Sequence, residues 1–262
     1  MMTSIMENKK ELPLKNGGYE KLIAVVFTLI LWQIASMVLD KEILLVSPIK
    51  VIIQLSELIF LKDFWKAVIF SLSHIILGYS IALLVGTLMA MAASRFYWVE
   101  VLLWPIMTVI KSTPVASFII LCLIWLSSKS LPIFISFLMV LPVIYTSMYQ
   151  GIKSTDKKLL EMADIFNLSF LKRVKYIYLP ELKPYILSSC SVSLGLCWKA
   201  GIAAEVIGIP EGSIGEMLYQ AKLYLNSKEL FAWTAVIILL SIAFEKLFLG
   251  CLKWFYLHLE RS

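Results

Sequence analysis

Three ionisable side chains interrupt long apolar stretches of the sequence: Lys111, Lys199 and Glu205. If these stretches lie in a lipid bilayer, each charge costs about 2.5 kcal/mol or more near the bilayer centre, so it needs a function or a partner. Two lysines that face a water-filled path could attract an anionic or strongly polar solute, and Pro114 would free backbone groups at the same level. The alternative is that each lysine snorkels outward or pairs with a carboxylate of a neighbouring helix.

The depth of these charges can be counted along their helices. A rise of about 1.5 Å per residue places Lys199 about two thirds of the way across, and Lys111 at a similar depth. Both lysines would then line the outer half of the membrane. Glu205 would lie close to the outer interface, where we expect an interfacial or subunit-contact residue rather than a proton carrier.

No other group of side chains has the spacing of a catalytic or metal-binding site. The two histidines, His74 and His258, have no Cys, Asp or Glu nearby at metal-ligand spacing. The four cysteines all lie in apolar runs, without the close pairing of a zinc or iron–sulfur site. We therefore expect no cofactor, no bound metal, no enzymatic activity of the chain itself and no nucleic-acid partner.

The elements that must position the charged residues are expected to be transmembrane helices. Of the 262 residues, 60% are hydrophobic and 16% are charged, and the mean hydropathy is +0.85. A water-soluble core cannot bury that much apolar surface. Six apolar runs approach or exceed the roughly 20 residues of a spanning helix: 22–39, 67–93, 99–126, 132–149, 185–204 and 230–252. The sequence therefore predicts an all-α, polytopic membrane protein of about six transmembrane helices.

Basic residues between the runs predict the orientation, because cytoplasmic loops hold an excess of lysine and arginine. The segment 1–21, the interval 151–184 and the C-terminal end are all rich in these residues, so both termini are expected to be cytoplasmic. The three assignments agree only if 99–126 crosses once, as a helix interrupted near Pro114. The segment 41–66 disagrees, since its four lysines would lie outside.

Two outer segments have the composition of short helices. One begins at Ser47-Pro48, where the serine can cap a helix and the proline fits its first turn. The other covers 213–225. Amphipathic helices at the membrane interface and plain connecting loops are both consistent with these patterns.

The interval 151–184 contains a short helix followed by a tight turn. Thr155 or Asp156 can cap a helix that runs through Phe166. Asn167 is well suited to a left-handed turn, because asparagine adopts that conformation more readily than other non-glycine residues. The chain would then bend, with Phe166 and Leu168 exposed at the bend, and an exposed apolar knob on a basic loop indicates a partner protein.

A second short helix is expected after this turn. Ser169 can cap it, and Leu179-Pro180 marks its end. Pro184 then suits the first turn of the next membrane helix. The interval is therefore predicted to form two short helices at an angle to each other.

This interval resembles the cytoplasmic signature of binding-protein-dependent ABC importer permeases. That signature is Glu-Ala-Ala, three residues, Gly, nine residues, Ile, one residue, Leu-Pro. The positions that match at this spacing are Glu161, Ala163, Ile177, Leu179 and Pro180. Met162 stands in place of the first alanine, and Asn167 stands in place of the glycine.

The resemblance implies a type I ABC importer permease fold and a set of partners. In that family the bend docks into a cleft on a separate ATPase subunit and transmits nucleotide-driven closure to the membrane helices. The coupling residues implied here are Glu161, Ala163, Asp164, Phe166, Asn167 and Leu168. The implied partners are ABC ATPase subunits, an extracytoplasmic substrate-binding protein and a second copy of the permease in a homodimer, all at the plasma membrane of a bacterium.

The apolar runs and the basic segments between them also predict the organisation of the chain. A cytoplasmic segment, 1–21, would precede a transmembrane permease domain, 22–262, whose coupling loop is 151–184. The lipid bilayer would surround the permease domain.

Other short motifs resemble the nitrate, sulfonate and taurine branch of these permeases. They are Ser47-Pro48, Lys111 to Pro114, Trp198-Lys199 followed by Ala203-Ala204-Glu205, and Gly212 to Gly215. In that branch the positions of Lys111 and Lys199 are commonly arginine, so the charge is kept here. From the charge of the two lysines and the position of all three residues in the apolar runs, we expect Lys111, Pro114 and Lys199 to line a translocation pathway for a small polar or anionic solute.

An ion-coupled secondary transporter without an ATPase partner is the alternative. It predicts an ion-coupling carboxylate deep in the membrane. The candidates Glu100, Glu205 and Glu245 lie toward helix ends or off-centre, and such a transporter would leave the coupling signature unexplained.

Overall fold

The computed structural model describes residues 18–259, and this part of the chain is helical, with no β-strand. The helices are α1 (Gly18–Leu39), α2 (Pro48–Leu58), α3 (Lys62–Arg95), α4 (Tyr97–Ser112), α5 (Val115–Cys122), α6 (Leu131–Lys153), α7 (Lys157–Ile165), α8 (Phe170–Arg173), α9 (Leu179–Gly208), α10 (Ile214–Leu223) and α11 (Ser227–Leu259). A π-helical turn over Val174–Tyr178 joins α8 to α9.

Five of these helices are long and apolar enough to cross a membrane: α1, α3, α6, α11 and the helical segment that contains α9. The helices α4 and α5 pass the same test together, but they are bent by 103° at the break between them. The prediction of about six spans is confirmed if this bent pair is one span. The predicted interruption near Pro114 is also confirmed, because Pro114 is the residue that precedes α5.

Helices α3, α6 and α9 form the centre of the bundle, and small residues let their backbones approach closely. A Cβ atom on Gly78 of α3 would collide with the backbone carbonyl of Ile133 on α6. A Cβ on Gly201 of α9 would lie 2.6 Å from Ile75 and 2.7 Å from the hydroxyl of Ser136. The order of such contacts along the helices shows that α3 and α6 run in the same direction and that α9 runs opposite to them.

The two short helices predicted from sequence are both present. Ser47 caps α2 by accepting a hydrogen bond from the backbone N–H of Lys50 at 3.4 Å. Ser213 caps α10 by accepting one from the N–H of Glu216 at 3.0 Å. Helix α10 packs against α3, α9 and α11, so it is part of the bundle rather than a connecting loop.

The helix α1 has the opposite character. It contacts α2 only sparsely, and none of the apolar residues in its spanning segment is buried within the chain. Its apolar surface is therefore available to lipid or to another protein.

Candidate functional site

The predicted bend forms between α7 and α8, and we call residues 156–173 the elbow. Asn167 has φ +50°, the left-handed conformation expected from the sequence. The N–H of Leu168 donates to the carbonyl of Ala163 at 2.9 Å, and the N–H of Asn167 donates to the carbonyl of Asp164 at 3.1 Å. These two bonds are the Schellman arrangement that ends a helix, so asparagine here performs the turn for which glycine is the usual residue.

The elbow exposes an apolar tip next to a buried anchor. Ala163 is fully buried, whereas Ile165 and Phe166 are 77% and 71% exposed. The predicted exposure of Phe166 is therefore confirmed. The predicted exposure of Leu168 is wrong, because its side chain is half-buried after the chain turns back toward the bundle.

The beginning of α7 is capped as expected. The carboxylate of Asp156 accepts a hydrogen bond from the backbone N–H of Lys158 at 2.9 Å. Glu161 is exposed on the same short helix. The Glu-x-Ala pair thus presents one side chain to solvent and buries the other.

Arg173 fixes the geometry of the elbow, and sequence reasoning missed it. Its guanidinium pairs with the carboxylate of Asp164 at 2.5 Å, and its Nε donates to the carbonyl of Leu168 at 2.9 Å. One planar side chain thus holds the end of α7 and the turn against α8. The available signal was composition, since Arg173 is the only arginine of the interval 151–184 among many lysines.

The second short helix was predicted with the wrong end. The backbone stays helical from Phe170 through the π-helical turn and into α9, with Pro180 near the start of α9 and Pro184 inside it. Proline lacks an N–H donor, and the wider π turn just before Pro180 changes which carbonyls are left without a partner. The elbow is consequently joined to the central helix without an intervening loop.

Lys111 lies at the end of α4, beside the break at Pro114. Its ammonium donates a hydrogen bond to the hydroxyl of Thr146 on α6 at 2.8 Å, and Thr146 donates to the carbonyl of Pro142 at 2.6 Å. The lysine side chain is exposed within the chain. It pairs with a hydroxyl rather than with a carboxylate, so its charge is not neutralised there.

Lys199 lies on α9 and is exposed, between the buried residues Trp198 and Ala200. Within residues 18–259 its ammonium forms no hydrogen bond or ion pair. The hydroxyl of Ser136 on α6 donates to the carbonyl of Cys197, which places Lys199 near the level of Ser136.

The two lysines therefore do not lie at a similar depth, contrary to the expectation from residue counting. Ser136 and Thr146 are ten residues apart on α6, or about 15 Å along the helix axis. The ammonium of Lys111 is the one nearer the elbow. Counting gave only the distance along α4, and it did not give the level of α6 that the end of α4 reaches.

Glu205 lies in the last turn of α9 and is fully buried inside the chain. One carboxylate oxygen accepts hydrogen bonds from the hydroxyl of Ser71 at 2.7 Å and from the backbone N–H of Gly215 at 3.1 Å. The expectation of an interfacial or subunit-contact residue is corrected on this point, because the side chain contacts α3 and α10 of its own chain and is not accessible to a second subunit.

These features define a class of protein: a helical membrane transport component whose spanning bundle carries a rigid, apolar-tipped elbow joined directly to a central helix. The family model described as binding-protein-dependent transport system inner membrane component matches residues 82–261. This match covers well over half of the chain, and the chain belongs to that family.

Curated relatives of similar length agree with the assignment. The putative aliphatic sulfonates transport permease of Escherichia coli K12 is 30% identical over 199 residues, which are 75% of this chain and 75% of that protein. The taurine transport system permease of the same organism is 25% identical over 229 residues, 85% of this chain and 82% of that one. The nitrate import permease of Synechococcus elongatus is 24% identical over 204 residues, 74% and 72% of the two chains.

The chain is thus the membrane permease component of an ABC importer. A family of this kind works with an ATPase and a substrate-binding protein. The ion-coupled secondary transporter is not retained, because it explains neither the family nor the elbow.

Proposed function

We propose that this permease imports a small polar or anionic solute such as a sulfonate, taurine or nitrate, and that Lys111, Pro114 and Lys199 lie along its translocation pathway. The observation that carries the proposal is the exposed ammonium of Lys199, which has no partner in the described part of the chain although it lies on a spanning helix. A cation in that position is costly in lipid, whereas a water-filled pathway removes most of the cost. Three relatives are permeases for sulfonates, taurine and nitrate, and each of these solutes carries a negatively charged group, which supports a cargo that a lysine can attract.

The axial separation of the two lysines supports two successive attractive positions rather than one binding site. An anion would first meet Lys199 and then, about 15 Å nearer the elbow, Lys111 with the hydroxyl of Thr146. Several weak positions allow a solute to enter and also to leave, which a single tight site does not. The break at Pro114 would let the backbone adjust beside Lys111.

Paired substitutions test the pathway. Lys111→Gln and Lys199→Gln keep a polar side chain and remove the charge, and we expect each to lower uptake of taurine or an alkanesulfonate about tenfold, from the loss of one charge-assisted interaction. Lys129→Gln, on an exposed lysine outside the helices, is the matched control. Unchanged uptake by the normally assembled double variant, with both Lys111→Gln and Lys199→Gln, would contradict the pathway proposal.

We also infer that the elbow is the contact with the ATPase subunit, with both chain termini on the same, cytoplasmic side. The support is the exposed apolar pair Ile165 and Phe166 on a turn that Arg173 holds in one conformation. The interval 151–184, which includes the elbow, is also rich in lysine, as expected of the cytoplasmic side.

A second copy of the chain would complete the pathway, and the uncovered surface of α1 is compatible with such a neighbour. The mass of the purified transporter in nanodiscs tests the homodimer, since a single permease copy for each pair of ATPases would contradict it.

A further inference from the structure

The buried carboxylate of Glu205 joins three helices at the end of the bundle opposite to the elbow. Its Oε2 accepts from Ser71 on α3 and from Gly215 on α10, and the hydroxyl of Ser71 in turn accepts from the N–H of Ile214 at 3.0 Å. The other oxygen, Oε1, is buried and has no hydrogen-bond partner among the described residues. A single oxygen atom of α9 therefore holds the first turn of α10.

The backbone of α10 lies directly against α9 at this point. A Cβ atom on Gly215 would collide with the side chain and carbonyl carbon of Glu205, and it would lie 2.6 Å from the backbone nitrogen of Val206. The start of α10 is also fixed internally, because Glu216 accepts from the N–H of Gly212 at 2.6 Å while Ser213 caps the helix. The contact is thus between two rigid pieces, and Glu205 is the polar connection between them.

The helix α9 connects this contact to the elbow. It runs for 30 residues from Leu179 to Gly208, about 45 Å, and its first residues continue without a loop from the π-helical turn and α8. A displacement of the elbow would move α9 as a unit, and α10 would follow only if it stays attached to the far end.

We propose that Glu205 is a positioning residue that fastens α10 to α9, so that nucleotide-driven movement of the elbow reaches the opposite surface of the transporter. This inference rests on the proposed contact between the elbow and the ATPase. Without the carboxylate, α9 moves while α10 does not move with it. Loss of one charge-assisted hydrogen bond shifts the equilibrium between attached and detached α10 roughly tenfold toward the detached state.

The test uses the assembled transporter and a cysteine reporter on α10. Tyr224, just after α10, is 81% exposed, and in a Cys251→Ser background the Tyr224→Cys variant carries one exposed thiol within the described residues. The maleimide labelling rate is measured in nanodiscs without nucleotide and after trapping with ATP and vanadate. We expect trapping to change the rate in the reporter background, and Glu205→Ala to abolish most of that change while basal ATP hydrolysis is retained.

Two further variants keep the test decisive if Glu205→Ala does not assemble. Glu205→Gln retains one acceptor oxygen, and Ser71→Ala removes one donor without touching α9, so both should give an intermediate response. Glu211→Ala, on an exposed glutamate at the same end of the bundle, is the matched control and should respond like the reporter background. A merely structural role would lower the yield or the unfolding temperature but leave the ATP-induced change intact in the complexes that form.

Two results overturn the proposal. One is a reporter that does not respond to ATP trapping even with Glu205 present, and the other is a response in Glu205→Ala, Glu205→Gln and Ser71→Ala as large as in the reporter background. Failure of the elbow contact is a separate result, since the ATPase would then still bind after Phe166→Asp.

Discussion

Truncation of Phe166 should weaken ATPase binding by an amount that the structure allows one to calculate. A phenylalanine buries about 150–250 Å² when it is fully enclosed, and 71% of Phe166 is exposed in the free chain. About 110–180 Å² can therefore be removed from water on docking, worth roughly 3–4.5 kcal/mol at about 25 cal/mol per Å². Ordering the side chain offsets about 1 kcal/mol. Phe166→Ala should therefore lose about 2–3.5 kcal/mol of binding free energy, or roughly a 30- to 400-fold increase in Kd per elbow.

The assay is the binding of purified ATPase subunit to permease immobilised in nanodiscs, by biolayer interferometry. Trp98→Ala is the matched control, because Trp98 is 74% exposed and lies near the same end of the bundle but outside the elbow. The reasoning is refuted if Phe166→Ala and Trp98→Ala both bind with wild-type affinity, or if both lose affinity to the same extent. The second result would indicate a general effect of exposed aromatic residues on the membrane-embedded protein.

Three further substitutions test the local geometry. Asn167→Gly should leave ATPase affinity within about twofold, because glycine also adopts the left-handed turn. Asn167→Val introduces a β-branched residue and should cost about 1–2 kcal/mol of elbow stability, measured as faster proteolysis between α7 and α8. Equal cleavage of the two variants would contradict the left-handed turn. Arg173→Lys keeps the charge but cannot contact Asp164 and the carbonyl of Leu168 with one planar group, so it should weaken ATPase binding by about 1 kcal/mol. Wild-type affinity would show that these two contacts are dispensable. Gly78→Ala should destabilise the α3–α6 packing by about 1–3 kcal/mol in a thermal unfolding scan. Gly195→Ala is the control, because its new Cβ atom would meet no other atom within 4 Å. Equal unfolding temperatures of the two variants would count against close packing at Gly78.

The turn of the elbow could be predicted from the sequence because it is decided locally. A helix that ends at Ile165 needs a residue in the left-handed region two positions later, and asparagine at 167 is suited to it by its own conformational preference. The cap at Asp156 is local in the same sense, since it involves one side chain and a backbone N–H two residues away. Such features are independent of how the rest of the chain packs.

The course of the chain after the elbow could not be predicted in this way. Two prolines, at 180 and 184, favour a helix boundary in isolation. In the structure the π-helical turn precedes Pro180, and α9 packs along α3 and α6, so the helix continues through both prolines. The role of Arg173 was hidden for a related reason, because its partners, Asp164 and the carbonyl of Leu168, become its neighbours only once the chain has turned.

The spanning charges show the limit of residue counting most clearly. Counting gives the distance of a residue from the end of its own helix, but not the level at which that helix meets its neighbours. Lys111 reaches Thr146 rather than the level of Lys199, so the two lysines that were expected at a similar depth are about 15 Å apart along α6. Glu205 lies in the last turn of α9, but its partners are Ser71, 134 residues away, and the first turn of α10. The number of residues along a helix fixes how far a charge lies from the helix end, whereas its electrostatic partner is set by the packing of other helices. Partner assignments within membrane bundles therefore have to come from tertiary structure, even where the spans themselves are evident from composition.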